Sequence, residues 1–273
     1  MVENTLNESP IGVFDSGLGG ISVLAQLVAC MPEEKYIYYG DSANAPYGVR
    51  STDEVKDLTF KVVDNLIKYN IKALVVACNT ATSAAINELR NLYDIPIIGM
   101  EPALKPAVEK YQSKDIIVMA TPVTLREKKF NNLIQQFNRP ENIIKLPCPG
   151  LVELIEASGG QSEEIKNYLK NQFAPFNLAN VGAIVLGCTH YIFIKDSIRE
   201  LVGDSIELID GNRGTTNHLY KLLEEQHSKN KAKVNTEIKI VNSSKDLRML
   251  DLSKELLEKQ LNLLGWSGSI KYV

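Results

Sequence analysis

The sequence lacks the features that mark membrane, secreted or nucleic-acid-binding proteins. Only four of its 273 residues are cysteine, too few for a disulfide framework. The net charge of −3 supplies no bulk positive field for binding nucleic acid. No apolar run approaches the roughly 18–20 residues of a membrane span, and the polar first ten residues contain no apolar signal segment. We therefore expect a cytoplasmic protein that binds neither membrane nor nucleic acid and keeps its thiols reduced.

The sequence instead alternates short apolar runs with helical segments. The runs predict strands at 11–15, 36–40, 73–77, 96–100, 115–120, 142–145, 183–187 and 206–210. Because these runs are almost continuously apolar, they are typical of strands buried on both faces of a parallel sheet. Helices are predicted at 20–30, 51–69, 80–92, 102–111, 124–137, 162–173 and 192–201. The helix at 51–69 begins with a capping-box signature, Ser51 followed three residues later by Glu54. The last part of the chain predicts a helix at 215–226, a strand at 236–241 and a helix at 244–263. The fold class is therefore α/β, with mostly parallel sheets flanked by helices.

Two segments of the chain share one local pattern. A strand followed by Cys78 and Thr80 resembles a strand followed by Cys188 and Thr189, and the two cysteines are 110 positions apart (188 − 78). That spacing corresponds to about one small α/β unit. We therefore expect two similar lobes, each presenting one cysteine to a shared cleft.

Small polar residues and glycines cluster directly after the predicted strands. They lie at 15–20, 41–48, 78–80, 121–124 and 188–190. Ligands of open α/β sheets bind beyond the carboxyl ends of the strands. Helix N-termini that carry serine and threonine attract carboxylates through their free N–H groups. These segments therefore predict a site for a small anionic ligand.

The two loop motifs also have simpler interpretations. The segment 15–20 could be a nucleotide-binding loop, but Ser22 stands where the third glycine of G-x-G-x-x-G belongs, and no G-K-[ST] follows. A glycine-rich turn capped by Asp15 fits the pattern as well. Taken alone, the segment 46–48 is typical of a turn.

The cysteines have structural alternatives too. Taken singly, Cys78 and Cys188 are more typical of small buried hydrophobic residues than of nucleophiles. Their equivalent places at two strand ends weaken that interpretation, and a helix N-terminus makes a thiol more acidic. Cys30 is interpreted as a core residue because it follows an apolar helical run, and Cys148 as structural.

A metal site and a hydrolase are less consistent with the spacing. Structural zinc sites pair their ligands a few residues apart, whereas the one close pair is Cys188 with His190, so no metal is predicted. A cysteine hydrolase built on that pair would leave Cys78 without a role. His218 and His227 lie in a polar helical stretch and are expected at the surface.

Two thiols can perform a reaction that one thiol cannot. If they lie on opposite faces of a carbon acid, a thiolate can remove a proton while a thiol supplies another, which inverts the centre. The ordinary cysteine pKa of about 8.5 can be tuned toward neutrality for this purpose. Hydrogen bonds and the exclusion of water would have to stabilise the carbanion, since the sequence predicts no cofactor.

The segments 11–20, 40–48, 77–80 and 187–191 together resemble the motifs of the glutamate racemase family, in the same order and spacing. This family belongs to the cofactor-independent aspartate/glutamate racemases. The resemblance implies a first lobe of residues 1–101 and 211–273 and a second lobe of 102–210. It also implies a homodimer that interconverts L- and D-glutamate and supplies D-glutamate for peptidoglycan.

The resemblance further implies roles for individual residues. Cys78 would deprotonate D-glutamate with help from Asp15, and Cys188 would deprotonate L-glutamate with help from His190. The implied substrate-binding residues are Asp15, Ser16, Pro46, Tyr47, Gly48, Asn79, Thr80, Thr121, Thr189 and His190, with Asp41 and Glu153 in support. The sequence departs from the family pattern at Glu127, Phe130 and Ile192.

Two other functions are consistent with the same motifs. One is racemisation of aspartate or a hydantoin, although the assembled pattern favours glutamate. The other is a non-catalytic ligand-binding or thiol-sensing protein on the same scaffold. A sensor would need its thiols within disulfide distance, whereas a racemase needs room for a carbon atom between them.

Overall fold

The computed structural model describes residues 7–160, 162–230 and 236–273, so the first six residues of the polar N-terminal segment lie outside it. Its strands are β1 (Ile11–Asp15), β2 (Lys35–Gly40), β3 (Ala73–Val76), β4 (Ile97–Gly99), β5 (Asp115–Ala120), β6 (Ile143–Pro147), β7 (Val181–Gly187), β8 (Glu207–Asp210), β9 (Thr236–Asn242) and β10 (Ile270–Tyr272).

Its α-helices are α1 (Ile21–Cys30), α2 (Thr52–Ile67), α3 (Asn79–Leu92), α4 (Leu104–Lys110), α5 (Pro122–Arg126), α6 (Lys128–Gln135), α7 (Leu151–Ser158), α8 (Glu163–Phe173), α9 (Lys195–Val202), α10 (Asn212–Glu225) and α11 (Arg248–Leu263). Short 3-10 helices lie at Tyr47–Val49, Pro140–Asn142, Leu178–Asn180 and Thr189–Ile194.

The strands form two sheets. One has six strands in the order β10-β9-β2-β1-β3-β4, and the other has four in the order β6-β5-β7-β8. Every strand pair in both sheets is parallel. The six-stranded sheet takes strands from both ends of the chain, and the four-stranded sheet comes from its middle. The predicted α/β class with two parallel-sheet lobes is confirmed.

The strand sequences account for the sheets. Strands β1, β3 and β7 are buried at every position, which explains why their sequences are continuously apolar. Buried apolar side chains pack on both faces of each sheet, where the helices cover them. Helix α2 begins at the predicted capping box, in which Ser51 Oγ accepts from the Glu54 N–H and Glu54 accepts from the Ser51 N–H.

Several elements differ from the sequence predictions. The helix predicted at 124–137 is two helices, because Glu127 is extended between α5 and α6. Helix α7 and strand β10 were not predicted. The helix predicted from 192 begins as a 3-10 helix at Thr189. Cys30 is exposed and not in the core, because it is the last residue of α1.

Over the described residues, no helix is both long enough and apolar enough to cross a lipid bilayer.

A buried ion pair lies at the amino-terminal edge of the first sheet. Lys72 Nζ lies 2.6 Å from Glu34 Oε2, and each side chain is only 2% exposed. Lys72 also donates to the carbonyls of Asn7 and Ser228, each at 2.8 Å. Glu34 accepts from the Asn230 N–H at 2.9 Å. Removal of either charge would therefore leave the other buried without its partner.

We predict that Glu34→Gln lowers the free energy of unfolding by about 3 kcal/mol, because the Lys72 ammonium stays buried. Urea denaturation followed by circular dichroism measures the change. The matched control is Glu88→Gln, which breaks the more exposed pair with Lys56 and should cost less than about 1 kcal/mol. Equal losses for the two variants would contradict this role of burial.

Candidate active site

The residues that follow the central strands of both sheets line one small cavity. Ser16 follows β1, Cys78 follows β3, Thr121 follows β5 and Cys188 follows β7. The full lining is Ser16, Pro46, Tyr47, Gly48, Cys78, Asn79, Thr80, Thr121, Val152, Cys188, Thr189 and His190. The cavity volume is about 20 Å³, roughly the space of one water molecule. The two sheets thus bring both predicted thiols to one shared site.

Cys78 lies at the N-terminus of α3 and is buried. Its Sγ accepts from the Ala81 N–H and donates to Ser16 Oγ, both at 3.4 Å. Burial raises the pKa of Cys78 to about 12, and the nearby charge of Asp15 adds to the increase. Because these effects outweigh the hydrogen bonds that Cys78 makes with Ser16 and Ala81, Cys78 is a thiol at neutral pH.

Cys188 has a titratable partner instead. Its Sγ lies 3.8 Å from Nδ1 of His190, and Nε2 of that imidazole lies 2.8 Å from Oε1 of Glu156. Burial alone would lower the pKa of His190, but its hydrogen bonds with Cys188 and Glu156 raise it well above its ordinary value. The imidazole is therefore charged near neutral pH and faces the sulfur of Cys188.

Glu156 also joins the lobes. Its Oε1 accepts from the Leu18 N–H of the first lobe at 3.2 Å, in addition to the bond from His190. Burial would raise the pKa of Glu156, but the hydrogen bond from His190 keeps it lowered. A charged carboxylate thus lies beside a charged imidazolium at the interface between the lobes.

Asp15 lies beneath the cavity and is completely buried. Its carboxylate accepts from the Gly17 N–H at 2.9 Å and from Thr189 Oγ1 at 3.1 Å. Burial raises the pKa of Asp15, although the charge of His190 opposes the increase. Asp15 therefore contributes to the raised pKa of Cys78 without itself lining the cavity.

Hydroxyls from both lobes meet on one wall of the cavity. Thr80 Oγ1 from α3 lies 2.9 Å from Thr121 Oγ1, and both lie near Thr124 Oγ1, at 3.4 and 3.0 Å respectively. Beside them, Oδ1 of Asn79 is buried and accepts no hydrogen bond from any described residue. This wall can present hydroxyl donors and one free amide oxygen to a ligand.

The predicted turn at 46–48 forms another wall. Tyr47 is buried, and its hydroxyl donates to Asp41 Oδ2 at 2.6 Å. Asn44 donates to both carboxylate oxygens of Asp41 at 3.1 Å. Asp41 therefore holds this wall from outside the cavity.

The glycine-rich loop after β1 allows close contact between the lobes. A Cβ atom on Gly19 would collide with Thr189 Oγ1 and His190 Nδ1 of the second lobe. Tyr38 fixes the same loop, since its hydroxyl donates to the Gly17 carbonyl at 2.7 Å. These glycines serve packing against the second lobe and not a phosphate.

Glu153, which the resemblance places in support of the site, lies away from the cavity lining. It is exposed on α7, and Glu156, one turn later, reaches His190 instead. Val152, which was not predicted, lines the cavity from the same helix. Val152 and Glu156 are four residues apart and share one helix face. If α7 had been predicted from the sequence, this shared face would have indicated Glu156 as a residue of the site.

Over the ranges that the structure describes, no group of three or more His, Cys, Asp or Glu side chains is arranged to hold a metal ion. The site can instead hold one thiol protonated and the other beside an imidazolium, with hydrogen-bonding groups between them. This arrangement suits proton transfer on both sides of a small ligand.

The chain matches a known protein family over most of its length. The sequence model of the Asp/Glu/Hydantoin racemase family matches residues 11–244. The chain is 53% identical over 255 residues to the glutamate racemase of Clostridium acetobutylicum, covering 93% of this chain and 99% of that protein.

Solved structures give the same result. Glutamate racemase isoform RacE1 from Bacillus anthracis superposes with a TM-score of 0.82 at 26% identity, covering 98% of both chains. The glutamate racemase of Francisella tularensis in complex with D-glutamate superposes with a TM-score of 0.81 at 28% identity, again covering 98% of both.

We predict that Glu156→Gln lowers the pKa of His190, because the imidazolium loses its anionic hydrogen-bond partner. Titration of the imidazole resonances by NMR measures the change, and the exposed His218 and His227 provide an internal comparison. The control is Glu153→Gln on the same helix, which should leave the His190 titration unchanged. An equal response to both variants would contradict the geometry.

Proposed function

The chain belongs to the Asp/Glu/hydantoin racemase family of isomerases, and from that premise we propose that it interconverts L- and D-glutamate by proton transfer between two thiols. One observation carries the proposal: Cys78 and Cys188 line a single cavity from different lobes, in opposite electrostatic environments. The likeness to glutamate racemases supports glutamate as the substrate.

We assign the first step of the reaction from the environments of the two thiols. With L-glutamate, the thiolate of Cys188 takes the Cα proton, and the electron pair of the broken C–H bond remains on the substrate as a carbanion. The S–H bond of Cys78 then breaks, and its proton forms a new C–H bond on the opposite face. The product is D-glutamate, with Cys188 protonated and Cys78 a thiolate.

The reverse reaction starts from a thiolate at Cys78, which burial and Asp15 disfavour in the empty cavity. The ammonium group of a bound amino acid supplies a positive charge that favours the thiolate of Cys78. We assign that group to the free Oδ1 of Asn79, the unpartnered acceptor on the cavity wall.

The cavity wall supports stabilisation of the carbanion. The hydroxyls of Thr80 and Thr121 and the N–H groups at the N-terminus of α3 can donate to the substrate carboxylates. These groups lie in a buried site, where hydrogen bonds to a developing negative charge are stronger than in water.

The cavity as described is too small for the substrate. A glutamate molecule is several times larger than the single water that about 20 Å³ accommodates. We therefore assign this conformation to the closed state and infer that the lobes separate to admit substrate. Closure then excludes water from the carbanion.

The wider assignments follow from the family likeness. We propose that the D-glutamate supplies peptidoglycan synthesis in the cytoplasm. The homodimer and the lobe boundaries at residues 101/102 and 210/211 stay predictions.

We predict that the purified protein racemises L-glutamate without an added cofactor and acts much more slowly on L-aspartate. Loss of the circular dichroism signal of each amino acid measures both rates. Addition of a chelator should change neither rate, since the reaction uses only thiols. Turnover of aspartate without turnover of glutamate would contradict the substrate assignment. A protein that binds glutamate without racemising it would favour the sensor interpretation.

We predict that Cys78→Ala and Cys188→Ala each lower the racemisation rate by about 10³-fold or more, because each removes a proton carrier. The same circular dichroism assay measures the loss. The control is Cys148→Ala, which removes a buried thiol of the second-lobe core that does not line the cavity. Racemisation by Cys78→Ala at the unmodified rate would contradict the two-thiol mechanism.

A further inference from the structure

We propose that Glu127 and Thr52 form a latch across the mouth of the cleft, which holds the lobes in the closed state. The proposal rests on the proposed function only in that the cleft is where substrate enters. Glu127 is one of the positions at which this sequence departs from the family pattern.

The latch is one short hydrogen bond between the lobes. Thr52 Oγ1, in the first turn of α2 in the first lobe, donates to Glu127 Oε1 of the second lobe at 2.5 Å. Glu127 is the extended residue between α5 and α6, so the break that splits the predicted helix places this carboxylate. Both side chains are half-buried.

The local charges favour a carboxylate at this position. The N-terminus of α2 presents the positive end of a 16-residue helix. Lys56, one turn into the same helix, lies near enough for the charge of Glu127 to contribute to its raised pKa, although the hydrogen bond with Glu88 is the main cause. The helix N-terminus and Lys56 therefore attract the Glu127 carboxylate in addition to its hydrogen bond with Thr52.

The latch lies at the C-terminal end of α5, and the N-terminal end of the same helix reaches the cavity. The N-cap of α5 is Thr121, which lines the cavity and contacts Thr80 of the first lobe. A Cβ atom on Gly48 would lie 2.7 Å from Thr121 Cγ2, so the 46–48 wall packs directly on this end of α5. Separation of the lobes at this wall must break the bond between Thr52 and Glu127 at the other end of α5.

The consequence is a control on access to the thiols. If the bond stabilises the closed state, its loss increases the open population and the exposure of Cys188 to reagents. A hydrogen bond to a charged group of this kind corresponds to about a tenfold change in that equilibrium. Alkylation of Cys188 reports this change without any need for catalysis.

The test is the rate of iodoacetamide modification of Cys188 in the full chain without substrate, resolved by peptide mass spectrometry. Two thiols provide internal references: Cys30 is exposed and reports intrinsic reactivity, and the buried Cys148 reports unfolding. The variants are Glu127→Ala, Thr52→Val, their double combination and Thr52→Ser, which keeps the hydroxyl. The matched control is Glu54→Gln, which removes a carboxylate from the same helix N-terminus without touching the second lobe.

We expect Glu127→Ala and Thr52→Val each to raise the Cys188 rate by about tenfold, with Cys30 and Cys148 unchanged. The double variant should match either single variant, since both remove one interaction. Thr52→Ser and Glu54→Gln should stay near the unmodified rate.

Three results would overturn the latch. They are an unchanged Cys188 rate in the single variants, an equal increase in Glu54→Gln, and an increase that Cys148 shares. A failure of the proposed function is separable, because the alkylation pattern can hold in a protein that does not racemise glutamate, and racemisation can persist when the pattern fails.

Discussion

The site depends on the hydrogen bond between His190 and Glu156. At 2.8 Å it keeps the imidazole charged beside Cys188, and the same carboxylate oxygen accepts the Leu18 N–H of the opposite lobe. One carboxylate therefore sets a charge state and holds an interface between lobes. The glycines after β1 exist at that interface because a side chain on Gly19 would occupy the positions of Thr189 and His190.

The two thiols are unequal for physical reasons. Cys78 lies at a helix N-terminus that favours a thiolate, yet burial and the charge of Asp15 keep it protonated. Cys188 has a cationic neighbour in the closed state. The proposed racemisation needs one acid and one base at the same time, and the unequal surroundings of the two thiols suit that need.

The sequence was sufficient for the α/β class, the capping box at Ser51 and both thiols, because buried parallel strands and strand-end polar residues leave strong local patterns. It was not sufficient where the orientation of a helix decides which side chain reaches the site. Glu153 and Glu156 have the same chemistry, and only the orientation of α7 decides which of them reaches His190. The extended backbone at Glu127 accompanies a contact with Thr52 of the other lobe, which no local pattern contains. Cys30 followed an apolar run, but the end of α1 places it at the surface.

In the mechanism we propose, two groups on opposite faces exchange protons with the substrate, and the isotope distribution in the first turnovers tests this exchange. L-Glutamate is incubated in deuterium oxide, and the enantiomers are separated and analysed for deuterium at Cα before appreciable conversion. We predict deuterium in the newly formed D-glutamate, because the exchangeable thiol of Cys78 supplies it, while the remaining L-glutamate still carries protium. D-Glutamate that retains the original proton would show that one group serves both faces, and would contradict the two-thiol mechanism.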